Sequence, residues 1–120
     1  MSEAPVLDRA VTNALRTLTT PGEPDVLQEV LNLFLEEVPP RLTRLRNAWA
    51  AGNIEEVHRA AHSLKGSAGN IGARRLYAVC TQLDEKTKSG DLTGVAPLVE
   101  ALGVEFGKVE SEIRRLLAEG

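Results

Sequence analysis

Apolar residues recur along this chain at steps of three and four, and nowhere do they alternate with period two over a useful length. That spacing predicts helices and no strand. From Val6 to about Leu18, the positions Leu7, Ala10, Val11, Ala14, Leu15 and Leu18 keep helical spacing until Thr19, Thr20, Pro21 and Gly22 end a short first helix. A second helix begins near Pro24 and Asp25. It carries Leu27, Val30, Leu31, Phe34, Val38, Leu42, Leu45 and Trp49 on one face through to Ala51. Pro39 and Pro40 interrupt it, and each removes a backbone donor and crowds the preceding turn. The choice is a kink in one long helix or two helices meeting at about Val38, and the unbroken apolar stripe favours the kink.

Gly52 and Asn53 suit a left-handed C-terminal position followed by an N-cap, so a third helix runs from about Ile54 to Ile71. Gly72 breaks it. A fourth helix turns Leu76, Val79, Cys80 and Leu83 inward until Ser89 and Gly90. Asp91 can cap a fifth, whose stripe is Val95, Leu98, Val99, Leu102, Phe106, Val109, Ile113 and Leu116. Pro97 lies in its first turns, which argues for a start later than Asp91. Short connections between long amphipathic helices imply antiparallel neighbours. The expected fold is all-α, an antiparallel four-helix bundle with the additional short N-terminal helix covering one end.

Composition narrows the classes open to such a bundle. A length of 120 residues and 42% hydrophobic content suit a single domain spanning residues 1–120, and 3% aromatics make its core aliphatic. A net charge of -3 with both signs scattered lacks the basic patch of a nucleic-acid binder. No apolar run approaches the about 18 residues of a membrane span. The start, Met-Ser-Glu-Ala-Pro, has neither the basic flank nor the apolar stretch of a secretory signal, and Met1 favours a free-standing protein over a piece of a larger one. One cysteine, Cys80, permits no internal disulfide and is read as a small buried hydrophobe, which fits a cytoplasmic protein. A monomer is expected.

The third helix carries two unlike faces. Ile54, Val57, Ala61, Leu64, Ala68 and Ile71 form its core stripe, while His58, Lys65, Gly66 and Gly69 cluster within roughly 60° of His62, away from that stripe. His62 should therefore point to solvent. Glycine inside a helix costs roughly 1 kcal/mol against alanine. Two such costs beside an imidazole make sense if the missing side chains let another molecule's atoms approach it. Lys65 could then meet an arriving anion. A free imidazole, with a reference pKa of about 6.5, is mostly neutral near pH 7, so its ring nitrogen can act as a nucleophile without a general base.

The run His62-Ser63-Leu64-Lys65-Gly66-Ser67 resembles the signature of histidine-containing phosphotransfer (HPt) domains, and the resemblance covers nearly all of the chain. It implies a carrier of a multistep phosphorelay, with His62 as phosphoacceptor and Lys65 stabilising the phosphoryl group. Gly66, Gly69 and His58 would belong to a docking surface for the receiver domains of response regulators or hybrid kinases. Such a carrier has no autokinase activity and no cofactor, and any Mg²⁺ would belong to the receiver partner. Gly72, Leu76, Cys80, Leu83 and Asp84 are similar in placing to the family's fourth helix. Asp84 stands where Glu is common, and its shorter side chain leaves a role in orienting His62 unassigned.

Three other readings compete. His58 and His62, four residues apart, could chelate a transition metal, but no third ligand is evident, and Arg59 replaces the glutamate of the His-Glu-x-x-His protease pattern. A kinase phosphoacceptor module would carry an acidic residue directly after its histidine, where Ser63 stands, and no glycine-rich nucleotide motif occurs. A passive helical adaptor would have no use for Lys65 beside His62. Arg74, Arg75, Lys86 and Lys88 follow the key helix and could bias the approach of an acidic receiver surface. Gly103 and Gly107, one turn apart in the last helix, would allow close helix contact.

Overall fold

Helix boundaries fall where terminal backbone groups find partners. In the computed structural model, which describes residues 5–119, these are α1 Arg9–Thr17, α2 Val26–Ala50, α3 Ile54–Asn70, α4 Arg74–Lys88 and α5 Val95–Glu119. Residues 1–4, which hold most of the start read above for a signal, and residue 120 lie outside the described part. The first helix starts at Arg9 rather than Val6 because the Asp8 carboxylate accepts the Ala10 N–H at 2.9 Å and acts as N-cap. Asp25 accepts from Leu27 N–H at 2.9 Å, and Asn53 from Glu56 N–H at 3.2 Å. Asp91 does not cap the fifth helix. Its carboxylate accepts the Thr93 N–H at 2.8 Å inside the preceding loop, and α5 begins at Val95 with Pro97 in its first turn, where no intrahelical donor is needed.

Pro39 and Pro40 do not divide α2, which runs through both. The carbonyls that lose their donors belong to half-buried Leu35 and exposed Glu36, where solvent can satisfy them, while Val38 and Leu42 stay in the core. Two helices meeting at Val38 would break that buried stripe.

Short turns at residues 51–53, 71–73 and 89–94 join α2 to α5 in an up-and-down order. α2 packs on α3, α3 on α4, α4 on α5 and α5 back on α2, which closes an antiparallel four-helix bundle. Its centre is aliphatic, built from side chains such as Leu31, Leu45, Leu64, Leu83, Leu102 and Ile113, with Phe34 and Phe106 stacked at 6.1 Å. Four stripe residues lie outside this core: Ala10 and Ala14 are exposed on α1, where Thr12 is buried instead. Trp49 is 36% exposed in the last turn of α2, and Leu18 is 66% exposed just past the end of α1.

The first helix closes the bundle end formed by the α3–α4 turn. Gly72 takes φ 73°, and its carbonyl accepts the Asp8 N–H at 2.9 Å. A Cβ at Gly72 would come within 2.8 Å of Val11 Cβ, so both the positive φ and the close approach demand glycine. Asp8 also binds Arg74 across this turn, with Nε at 2.6 Å. The Ala10 N–H and the Arg74 guanidinium hold the Asp8 carboxyl below the usual range. Among the described residues, no helix is long and apolar enough to cross a membrane.

Candidate functional site

The third helix sorts its side chains as the heptad geometry demands. Val57, Ala61, Leu64 and Ala68 are buried, and His62, on the other side, keeps 71% of its side chain exposed. What lies beside the imidazole comes from α4. There the stripe of Leu76, Cys80 and Leu83 fixes the rotation of the helix, and Asp84, next in sequence to buried Leu83, lies at the seam with α3.

Asp84 is the residue that assembles the site. Its side chain is only 13% exposed and receives groups from three successive turns of α3. His58 Nε2 lies 2.7 Å from Oδ1, while His62 Nδ1 at 3.4 Å and Lys65 Nζ at 3.5 Å share Oδ2. Burial works to raise the Asp84 pKa. The contact with His62 and the attraction to Lys65 and to His58 and His62 when these are protonated outweigh it and hold the carboxyl below its ordinary value. Asp84 is therefore ionised at neutral pH. An ionised carboxylate facing Nδ1 favours the proton on that nitrogen, which leaves the Nε2 lone pair on the outward side of an exposed ring. That is the geometry of an accessible nitrogen nucleophile. When Nε2 acquires an electrophile, the ring becomes cationic, and Asp84 sits where that charge develops.

Lys65, 28% exposed, lies between Asp84 and the ring of Tyr77, whose centroid is 5.8 Å from Nζ. Its ammonium is held next to the imidazole rather than free in solvent. Gly66 is exposed, and a Cβ built there meets nothing within 4 Å, so this glycine leaves open space one turn after His62. Gly69 differs. A Cβ there would touch the Tyr77 ring at 3.4 Å, so α4 partly roofs that position. On the other side of His62, a groove of about 560 Å³ runs between α3 and α4, lined in part by Ile54, His58, Arg59, Thr87 and Lys88.

Other sequence expectations fare unevenly. The cations after α3 do not form a loose patch: Arg74 pairs with Asp8, Arg75 with Glu105 at 3.1 Å, and Lys86 with Asp91 at 3.8 Å. Lys88 alone of the four lines the groove beside His62. Cys80 is fully buried, and burial followed by the nearby Asp84 charge pushes its thiol up to about 12, which makes it chemically inert. A Cβ at Gly103 would run into the Arg46 guanidinium from α2, so close contact between helices accounts for Gly103, whereas Gly107 opens onto empty space and has no such account. Among the described residues, no group of three or more His, Cys, Asp or Glu side chains is placed to hold a metal ion.

The depressed Asp84 pKa carries a prediction about stability. A group whose folded pKa lies below its unfolded value, here 3.8, stabilises the fold above that value and loses the contribution as pH falls through the folded one. Wild type should therefore exceed Asp84→Asn in stability at pH 7, and urea denaturation at stepwise lower pH should show the gap closing below 3.8. A gap unchanged down to pH 3 would mean that the carboxylate charge does not stabilise the site.

Comparison with known proteins agrees with this geometry. The family model described as the Hpt domain matches residues 29–119, a stretch that contains α3, α4 and the whole His58–Asp84 cluster. Histidine-containing phosphotransfer protein 2 of Arabidopsis thaliana is 25% identical over 103 residues, covering 83% of this chain and 66% of that protein. Phosphorelay protein LuxU of Vibrio cholerae serotype O1 is 32% identical over 71 residues, covering 59% of this chain and 63% of LuxU. The chain thus spans slightly under two thirds of these two relatives. The crystal structure of histidine-containing phosphotransfer protein B from Pseudomonas aeruginosa PAO1 superposes with a TM-score of 0.89 at 29% identity, covering 98% of this chain and 99% of that one. With a matching family model over most of its length and a bundle that presents the His62 imidazole to solvent, the chain belongs to the Hpt domain family.

Proposed function

We propose that this chain accepts a phosphoryl group on His62 Nε2 from the aspartyl phosphate of a receiver domain and passes it to an aspartate of another. The observation that carries the reading is the exposed imidazole whose Nδ1 faces a nearly buried, ionised Asp84. In the forward step the Nε2 lone pair attacks phosphorus in line with the aspartyl oxygen. The N–P bond forms, the P–O bond breaks, and its electron pair leaves with the receiver's carboxylate. Nδ1 keeps its proton throughout, so the phosphorylated ring is cationic, and Asp84 balances that charge. The reverse step returns the phosphoryl group by the same path.

Phosphoryl transfer gains mainly from positioning and from charge beside the equatorial oxygens, and Lys65 is the cation on hand. Gly66 gives the receiver room to close over the ring. Mg²⁺ belongs to the receiver, the isolated chain does not phosphorylate itself from ATP, and the 120 residues act as a single domain, a cytoplasmic monomer. The test is incubation with phosphorylated receiver domains and, separately, with ATP alone. Label should pass from at least one receiver to His62, and none should come from ATP.

Lys65→Ala should slow transfer from a receiver by about fivefold, the scale of one partly exposed charge, without loss of helical content. Unchanged rates at subsaturating receiver would reduce Lys65 to a counter-ion of Asp84.

A further inference from the structure

We propose that His58 is a positioning residue for His62, acting through Asp84; the inference rests on the phosphotransfer reading above. Asp84 reaches the imidazole with a side chain of one methylene, and its contact with Nδ1 is long, at 3.4 Å. A contact of that length does not by itself fix the orientation of a carboxylate that also faces an ammonium. The closest of the three groups on Asp84 is His58 Nε2, at 2.7 Å from Oδ1. At that separation two lone pairs would repel, and Asp84 is ionised, so Nε2 carries a proton. His58 thus claims one oxygen and turns the other toward His62 and Lys65.

Helix geometry makes this arrangement available. His58, His62 and Lys65 stand on successive turns of one face of α3, and their rings and ammonium descend on the same carboxylate from α4. The two imidazoles lie 6.4 Å apart, centroid to centroid, so they meet Asp84 from adjacent places. Without His58, the carboxylate is free to rotate toward Lys65, Oδ2 leaves Nδ1, and the Nε2–H tautomer of His62 gains. That tautomer has no lone pair on the outward nitrogen. The anchor needs only a proton on His58 Nε2, which the neutral ring can supply, so it persists whether or not His58 is charged. Glu55, Arg59 and Lys88 line the groove beside His58, and their charges bear on it from α3 and α4.

The test compares wild type with His58→Leu, which removes the proton donor, and His58→Gln, which restores one on a side chain of similar reach. Two readouts are used on the full chain. The first is the His62 tautomer, read from ¹⁵N shifts and ring couplings in the unphosphorylated protein. Wild type and His58→Gln should show mainly Nδ1–H, and His58→Leu a shift toward Nε2–H. The second is labelling by phosphoramidate, which should be about fivefold slower in His58→Leu, the scale of one net hydrogen bond, and recover to within about twofold in His58→Gln. A wild-type tautomer and rate in His58→Leu would overturn the proposal, as would faster labelling. Should wild type itself take no label, the phosphotransfer reading fails, while the tautomer comparison still decides the role of His58.

Discussion

His62→Gln should take no label from phosphorylated receivers or from phosphoramidate, while the wild-type chain gains an acid-labile, alkali-stable adduct. Glutamine has no nucleophilic nitrogen, because its amide lone pair is delocalised into the carbonyl. The loss should therefore be complete rather than graded. The fold has little stake in the imidazole: the side chain is 71% exposed, and its polar contact is the long one to Asp84. Helical content should be kept and stability should change by no more than about 0.5 kcal/mol. That separation of chemistry from folding is what makes the variant decisive. Label remaining on His62→Gln would move the acceptor elsewhere, and His58 is the other histidine in the chain.

Much of this could be read from the sequence because a helix converts spacing into direction. The step of three and four that put Val57, Ala61, Leu64 and Ala68 in the core also put His62 in solvent, and both placements hold. The same logic carried α2 across Pro39 and Pro40, since a buried stripe on both sides outweighs two missing donors on exposed or half-buried turns. It failed where tertiary neighbours decide. Trp49 belongs to the stripe by angle, yet it is 36% exposed while Ala48, one position before it, is the buried residue of that turn. Arg74, Arg75 and Lys86 read as free cations in sequence and are paired with Asp8, Glu105 and Asp91, residues that lie between 5 and 66 positions away.

Asp84 is the instructive case. Nothing local to it signals a meeting with His58, His62 and Lys65, because that meeting depends on the rotation of α4 against α3. The available signal was the core stripe Leu76, Cys80 and Leu83, which fixes the rotation and leaves the next residue at the seam. A shorter acid than glutamate reaches the imidazole because the α3–α4 contact is close, with the small residues Ala61, Ala68 and Cys80 buried in the core.

Gly66→Gln should uncouple stability from transfer, with opposite signs. A Cβ at Gly66 enters open space, so a side chain there meets no neighbouring helix, and the gain in helix propensity over glycine is worth up to about 1 kcal/mol. Thermal stability should stay level or rise. The same side chain projects one turn beyond His62, on the exposed side where a receiver must close over the ring to bring an aspartyl phosphate in line with Nε2. Bulk inserted into a packed interface costs about 1–3 kcal/mol, so transfer from a receiver should fall by about tenfold or more. Phosphoramidate needs little room, and its labelling should fall much less. Gly66→Ala, with a single added carbon, should share the stability gain and lose less transfer. A sharp drop in stability for Gly66→Gln would mean that α3 moves against a neighbour when the glycine is filled. Equal labelling from both donors would place the receiver's footprint on another face of the bundle.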